Sequence, residues 1–197
     1  MTTLKRNPVP VFLTEATYEN MYFKTKSNID IEHMNFIEPY NDFYIKDTTI
    51  TPIRVSHDAS DAVGYVVNHI DKKLVYLTDI GYLPKNDYEI LSNADMYVFE
   101  SNYDVTMLFT SQRPFYLKQR IDSVKGHMSN TDSAYNMTKL IGDKTKYIIL
   151  AHPSRECNNK EVALETYQTV FTDYGIDFTK YKIVVASQDI PTDIFEI

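Results

Sequence analysis

Leu74-Val75-Tyr76-Leu77-Thr78-Asp79-Ile80-Gly81 reads as a short apolar strand that runs straight into a polar turn. The aromatic and β-branched side chains favour a pleated, half-buried chain, and Thr-Asp-x-Gly is turn chemistry that stops it. This strand, predicted over residues 74–78, hairpins through His69-Ile-Asp-Lys-Lys onto another predicted at 64–68. Outward from the hairpin, further strands are expected at 9–13, 42–45, 51–56, 96–100, 147–151 and 181–186. Helices are expected from 14 to about 22 and at 86–92, 114–121, 130–141 and 160–174, with 24–38 polar and irregular. Pro114 suits a first helical turn. Ser129 or Asn130 can cap the helix that Gly142 ends. Strands alternating with helices indicate an α/β layer protein. The adjacent hairpin strands argue against a purely parallel sheet.

The bulk numbers bound what such a layer protein does. With 197 residues, 43% hydrophobic and 24% charged, the chain suits one soluble domain with a sizeable core. The lone Cys157 excludes an internal disulfide and a cysteine-based zinc site. No apolar run approaches the roughly 18 residues of a membrane span, and residues 1–8 lack a secretory h-region. A cytoplasmic protein without a membrane partner is therefore expected. The net charge of −7 weighs against a protein that coats nucleic acid. It leaves a nuclease open, because site carboxylates and metal ions dominate locally. One stretch, 112–125, carries Arg113, Lys118, Arg120 and Lys125 against Asp122. It reads equally as a solvated helix face or a phosphate-gripping surface. Neither a Gly-x-Gly-x-x-Gly nor a Walker loop is present, which makes nucleotide-fold readings poor.

Chemistry in α/β proteins gathers where a rigid strand hands side chains to a loop. Four such places stand out: Val55-Ser-His57-Asp58-Ala, Thr78-Asp79-Ile-Gly81, Lys125-Gly126-His127-Met-Ser129-Asn130, and Ala151-His152-Pro-Ser154. A lone histidine at a strand end is more often a hydrogen-bonded structural residue. Here three of the five histidines are placed this way, beside an acid. Imidazoles with a carboxylate suit Zn²⁺, Mn²⁺ or Fe²⁺. Asp79 is the natural bridge, since one carboxylate can bind two cations about 3.5–4 Å apart.

In this order, Ser-His57-Asp58-Ala with Gly64-Tyr65, Thr78-Asp79-Ile-Gly81, Glu100-Ser-Asn102-Tyr-Asp104, Leu117-Lys-Gln-Arg120-Ile, Gly126-His127-Met-Ser129-Asn130 and Ala151-His152-Pro-Ser154 resemble the YycJ/WalJ-like branch of the metallo-β-lactamase superfamily. The resemblance runs from about residue 5 to beyond 165. It implies an αββα sandwich with a dinuclear divalent-metal site, and phosphodiester hydrolysis with DNA as substrate, in this branch exonucleolytic. Carried over by motif, His57 binds the first metal, Asp79 bridges, His152 binds the second, and His127 lies near the scissile phosphate. Asn102, Asp104, Asn130 and Arg120 are expected to bind substrate, Arg120 by clamping a phosphate unless it pairs with Asp122 or Glu100.

The superfamily hallmark His-x-His-x-Asp-His is absent, because histidines 33, 57, 69, 127 and 152 include no pair two apart. The expectation is an N-terminally incomplete domain over residues 1–197, with early strands and the metal-binding loop falling upstream of Met1. Reduced metal occupancy, impaired activity and self-association through uncovered apolar sheet surface follow from it. Competing readings are a non-catalytic nucleic-acid-binding remnant and a hydrolase of another ester class, a thioesterase or lactonase.

Overall fold

The structure, a computed structural model, describes residues 9–25 and 33–197. The readings made for residues 1–8 and for residues 26–32 of the irregular segment 24–38 lie outside them. Nine strands are described: β1 Val11–Leu13, β2 Met34–Phe36, β3 Phe43–Ile45, β4 Thr48–Arg54, β5 Val63–His69, β6 Lys72–Leu77, β7 Met96–Glu100, β8 Tyr147–Ala151 and β9 Lys182–Val185. The helices are α1 Glu15–Thr25, α2 Tyr88–Leu91, α3 Val105–Thr110, α4 Phe115–Ile121, α5 Asn130–Leu140 and α6 Lys160–Asp173. Strands β7 and β8 coincide with the sequence expectation, and most other ends move by one to three residues. Two elements were not anticipated: β2, inside the segment read as irregular, and α3.

Strands β3 to β9 form one sheet in chain order, antiparallel as far as β6 and parallel from β6 to β9. Parallel neighbours need crossover connections, and these are right-handed because of strand twist. A parallel run in unbroken chain order therefore sends every crossover helix to the same face. That face is the core. Val75, Leu77, Tyr97, Phe99, Ile148 and Leu150 pack there against Met137 and Leu140 of α5 and Tyr167 and Phe171 of α6. Tyr97, fully buried, keeps its hydroxyl paired by donating to the Leu91 and Leu140 carbonyls.

The opposite face carries the rows Tyr65, Tyr76, Val98, Ile149, Val184 and Leu74, Met96, Tyr147. Only part of it is covered. Tyr76 is 45% exposed, Leu74, Met96 and Val98 are half-buried, and Phe195 from the C-terminal segment lies edge-on to Tyr147 at 5.3 Å. β1 and β2 make a separate parallel pair. It meets the large sheet through Phe12 stacked on Phe43 at 4.7 Å and through Thr14, whose hydroxyl donates to the Asp61 carbonyl. Among the described residues no helix is long and apolar enough to cross a membrane.

Candidate metal centre

The sheet's chain order places the loops after β4, β6, β7 and β8 along one edge, and each delivers one polar side chain to a common point. Asp79 follows β6 and His152 follows β8, both with φ near 55°. That left-handed conformation is uncommon outside glycine, and Asp and His adopt it more readily than most residues. His127 arrives on the tight turn between α4 and α5. Its amide donates to the Ile121 carbonyl at 2.8 Å. Gly126 is required there, because a Cβ would collide with the backbone carbonyls of Arg120 and Ile121. His57 follows β4 and directs Nδ1 at the Gly126 carbonyl, 3.2 Å away.

Asp79, His127 and His152 each offer a donor atom, all within 4.8 Å of one another. The Asp79 Oδ1 atom lies 3.5 Å from His152 Nδ1, 3.9 Å from His127 Nδ1 and 3.8 Å from His57 Nε2. The His127 ring sits between the other two, with centroids 5.4 Å from His57 and 5.1 Å from His152. The motif comparison set His127 apart from the ligands, whereas it stands here in the same group as Asp79 and His152.

Glu100, at the end of β7, organises this group and was missed as a site residue. The sequence suggested it as a partner for Arg120. Its carboxylate is fully buried and accepts from His127 Nδ1 at 2.8 Å, from His152 Nδ1 at 3.1 Å and from the Ile80 amide. Burial pushes the Glu100 carboxyl up, but those hydrogen bonds outweigh it and hold the pKa below its ordinary 4.5. The Glu100 hydrogen bond raises the His152 pKa above 6.5 against the opposing effect of burial, with Asp79 adding to the rise. The Glu100 contribution is complete above about 4.5 and is lost as pH falls through its depressed value. The His152 contribution is complete below 6.5 and is lost as pH rises through its raised value. The contact is therefore whole between those limits in the metal-free protein.

The donor set fits a divalent cation. A carboxylate and imidazoles are the ligand types that zinc, manganese and iron accept. Glu100 and the Gly126 carbonyl each engage an Nδ1, and partners of this kind orient metal-binding histidines.

Of the residues expected to bind substrate, Asn102 and Arg120 reach this cluster's residues, whereas Asn130 and Asp104 are occupied in packing and capping. Asn102 donates through Nδ2 to the His152 carbonyl at 2.6 Å and fixes the left-handed turn. Asn130, almost fully buried, is tied to Ser101 and Asn158. Asp104 caps α3 by accepting from the Met107 amide. Arg120 pairs with neither Asp122 nor Glu100 but with Asp58, Nε to Oδ2 at 2.7 Å, and holds the Asp58 pKa down. The basic stretch is likewise largely engaged: Arg113 pairs with Glu156, and Lys118 donates to the Phe109 and Ser111 carbonyls.

A family model described as the beta-lactamase superfamily domain matches residues 1–152, more than half of the chain. The chain belongs to the metallo-β-lactamase superfamily. Within this superfamily it is 33% identical over 192 residues to exodeoxyribonuclease YycJ of Bacillus anthracis, covering 96% of this chain and 72% of that protein. It is 35% identical over 190 residues to exodeoxyribonuclease WalJ of Streptococcus pneumoniae serotype 2 (strain D39), covering 95% and 70%. Among solved structures, the metallo-β-lactamase fold protein YhfI from Bacillus subtilis matches with a TM-score of 0.62 and 17% identity, over 90% of this chain and 62% of that one. A diphosphatase of the PhnP family matches with a TM-score of 0.60 and 17% identity, over 95% and 59%. These two show the superfamily fold, and the chain spans about three fifths of their length.

Proposed function

We propose that the chain carries part of the active centre of a metal-dependent DNA exonuclease. The observation that carries this reading is the convergence of Asp79, His127 and His152 around buried Glu100. Similarity to two exodeoxyribonucleases supports DNA as the substrate. Asp79, His127 and His152 would hold one divalent cation, and His57, whose Nε2 lies 3.8 Å from the same Asp79 oxygen, would serve a second. When bound, the cations supply Lewis-acid stabilisation for charge developing on phosphoryl oxygens.

The protein's own residues set the stage for that chemistry. Glu100 anchors both imidazoles so that their orientation costs nothing at the moment of reaction. The His57 ring is locked by the Gly126 carbonyl. Asp58, neutralised by Arg120, lies 3.5 Å from His57 Nε2 and adds a second carboxylate on that side. His127 is a better candidate for a cation donor than for a free general acid, because it stands in one donor group with Asp79 and His152. Lacking His-x-His-x-Asp-His, the chain by itself would hold its metal weakly and turn over slowly.

Incubation of the protein with linear DNA tests this. The expected result is slow release of nucleotides with Mn²⁺ or Zn²⁺, strengthened by an added segment bearing His-x-His-x-Asp-His and stopped by chelator. Hydrolysis of a thioester or lactone, with DNA left intact in both arms, would replace this reading with another ester class.

A further inference from the structure

The candidate metal centre is flanked by hollows of different character. On the His57 side lies one of about 410 Å³ lined by Lys125 and by Arg54 paired with Asp61 at 3.0 Å. On the His127 side lies one of about 350 Å³, walled by Tyr82, Tyr88, Tyr103 and Tyr135 and by the acids Asp122 and Asp132. We propose that this tyrosine-walled hollow is a nucleoside subsite, taking the base and sugar of the terminal nucleotide whose phosphate lies at the metal centre. It rests on the reading of the chain as a phosphodiester hydrolase and extends it.

Charge excludes a phosphate from the hollow. Two carboxylates face a single ammonium, that of Lys85, so an anionic group is repelled and a neutral one is not. Lys125, the excess positive charge on the His57 side, offers the negatively charged backbone its route. Size excludes a duplex. At about 350 Å³ the hollow lies near the lower bound of small-ligand sites, room for one nucleoside.

The walls suit a base. Tyr82 is 50% exposed and offers ring surface to stack on a planar heterocycle, while Tyr135, 44% exposed, already meets Lys139 and Tyr174. Stacking of this kind tolerates any base, as an exonuclease requires. Deeper in, the hydroxyls are already ordered. Tyr88 donates to Asn136 Oδ1 at 2.6 Å, and Tyr103 donates to Asp122 Oδ1 at 2.6 Å. Ser129 donates to Asp132 Oδ2 at 2.7 Å, leaving that carboxylate further lone pairs for donors on a base. Because His127 lines both this hollow and the metal cluster, a nucleoside bound here has its phosphate within reach of the centre.

Thymidine, which carries no phosphate, is the probe. Titration into the isotope-labelled, metal-free protein, followed by NMR, is expected to shift resonances of Tyr82, Tyr88 and Asn136. Tyr82→Ala should weaken binding on the order of tenfold, and Tyr82→Leu, which keeps bulk but loses the ring, should weaken it similarly. Absence of binding, shifts confined to other surfaces, or undiminished affinity in both variants would overturn the proposal. The hydrolase reading fails separately. Thymidine bound in the hollow of a protein that never cleaves DNA would leave the subsite standing and remove that reading. Metal-dependent cleavage without thymidine binding would do the reverse.

Discussion

Asp79→Asn is expected to strip the protein of divalent-cation binding while leaving its metal-free fold intact. Asp79 supplies the only carboxylate in the three-residue donor group. Without it, neutral imidazoles alone must compensate a dication's charge. Replacing outer partners of metal ligands typically costs about 10–100-fold in affinity, and losing the anionic ligand itself should exceed that range. Asparagine is the informative replacement because it tolerates the left-handed backbone at this position. Alanine would mix loss of the ligand with strain. Metal content after equilibrium dialysis against Mn²⁺ or Zn²⁺ reads the first effect, and thermal unfolding with chelator reads the second. Unchanged metal content would remove Asp79 from the centre.

Glu100→Ala is expected to be the most damaging single substitution in this part of the molecule. The carboxylate is wholly buried and accepts three hydrogen bonds from residues on three different loops. Removing one partner of a buried charged set leaves the others unpaired, which typically costs about 3–5 kcal/mol. For a chain of this size that corresponds to a drop in Tm on the order of 10 °C. Glu100→Gln keeps the volume and one acceptor, so it should fold. It removes the charge that raises His152, whose pKa should fall when followed by NMR in the metal-free protein. Metal affinity should fall about 10–100-fold in the same variant. A His152 pKa indifferent to Glu100→Gln would mean that the buried carboxylate packs beside the imidazoles without organising them.

Much of the site was legible because strand ends announce themselves locally. An apolar run closing in Thr-Asp-x-Gly or Ala-His-Pro-Ser marks both the element and the side chain it delivers, and His57, Asp79 and His152 became candidates that way, while His127 stood out on a Gly-led loop before a helix. Glu100 was not. It too ends a buried strand, but its partners His127 and His152 lie 27 and 52 residues away. Nothing within its own segment separates an acid that anchors two imidazoles from one that caps a helix. The same limit applies to Arg120, whose partner Asp58 is 62 residues distant.

In the fold, β7 and β8 were readable to the residue because both are buried apolar runs bounded by polar turns. Strand β2 was not, since Met34-Asn35-Phe36 is three residues long and its order comes from register with β1. Helix α3 was also missed. Its residues Val105-Thr-Met-Leu-Phe-Thr110 favour an extended chain by composition, and the Asp104 cap on the Met107 amide supplies the missing bias toward helix. The mixed sheet was foreseen from the hairpin. The gathering of all crossover helices on one face depends on strand order, which no local pattern states.

Crystals of the protein soaked in Mn²⁺ and measured at an anomalous wavelength test the central claim most directly. An anomalous peak bounded by Asp79, His127 and His152, and lost in Asp79→Asn, is the expected result. A map with no peak among these residues at millimolar Mn²⁺, or with peaks only at other surface carboxylates, would contradict it.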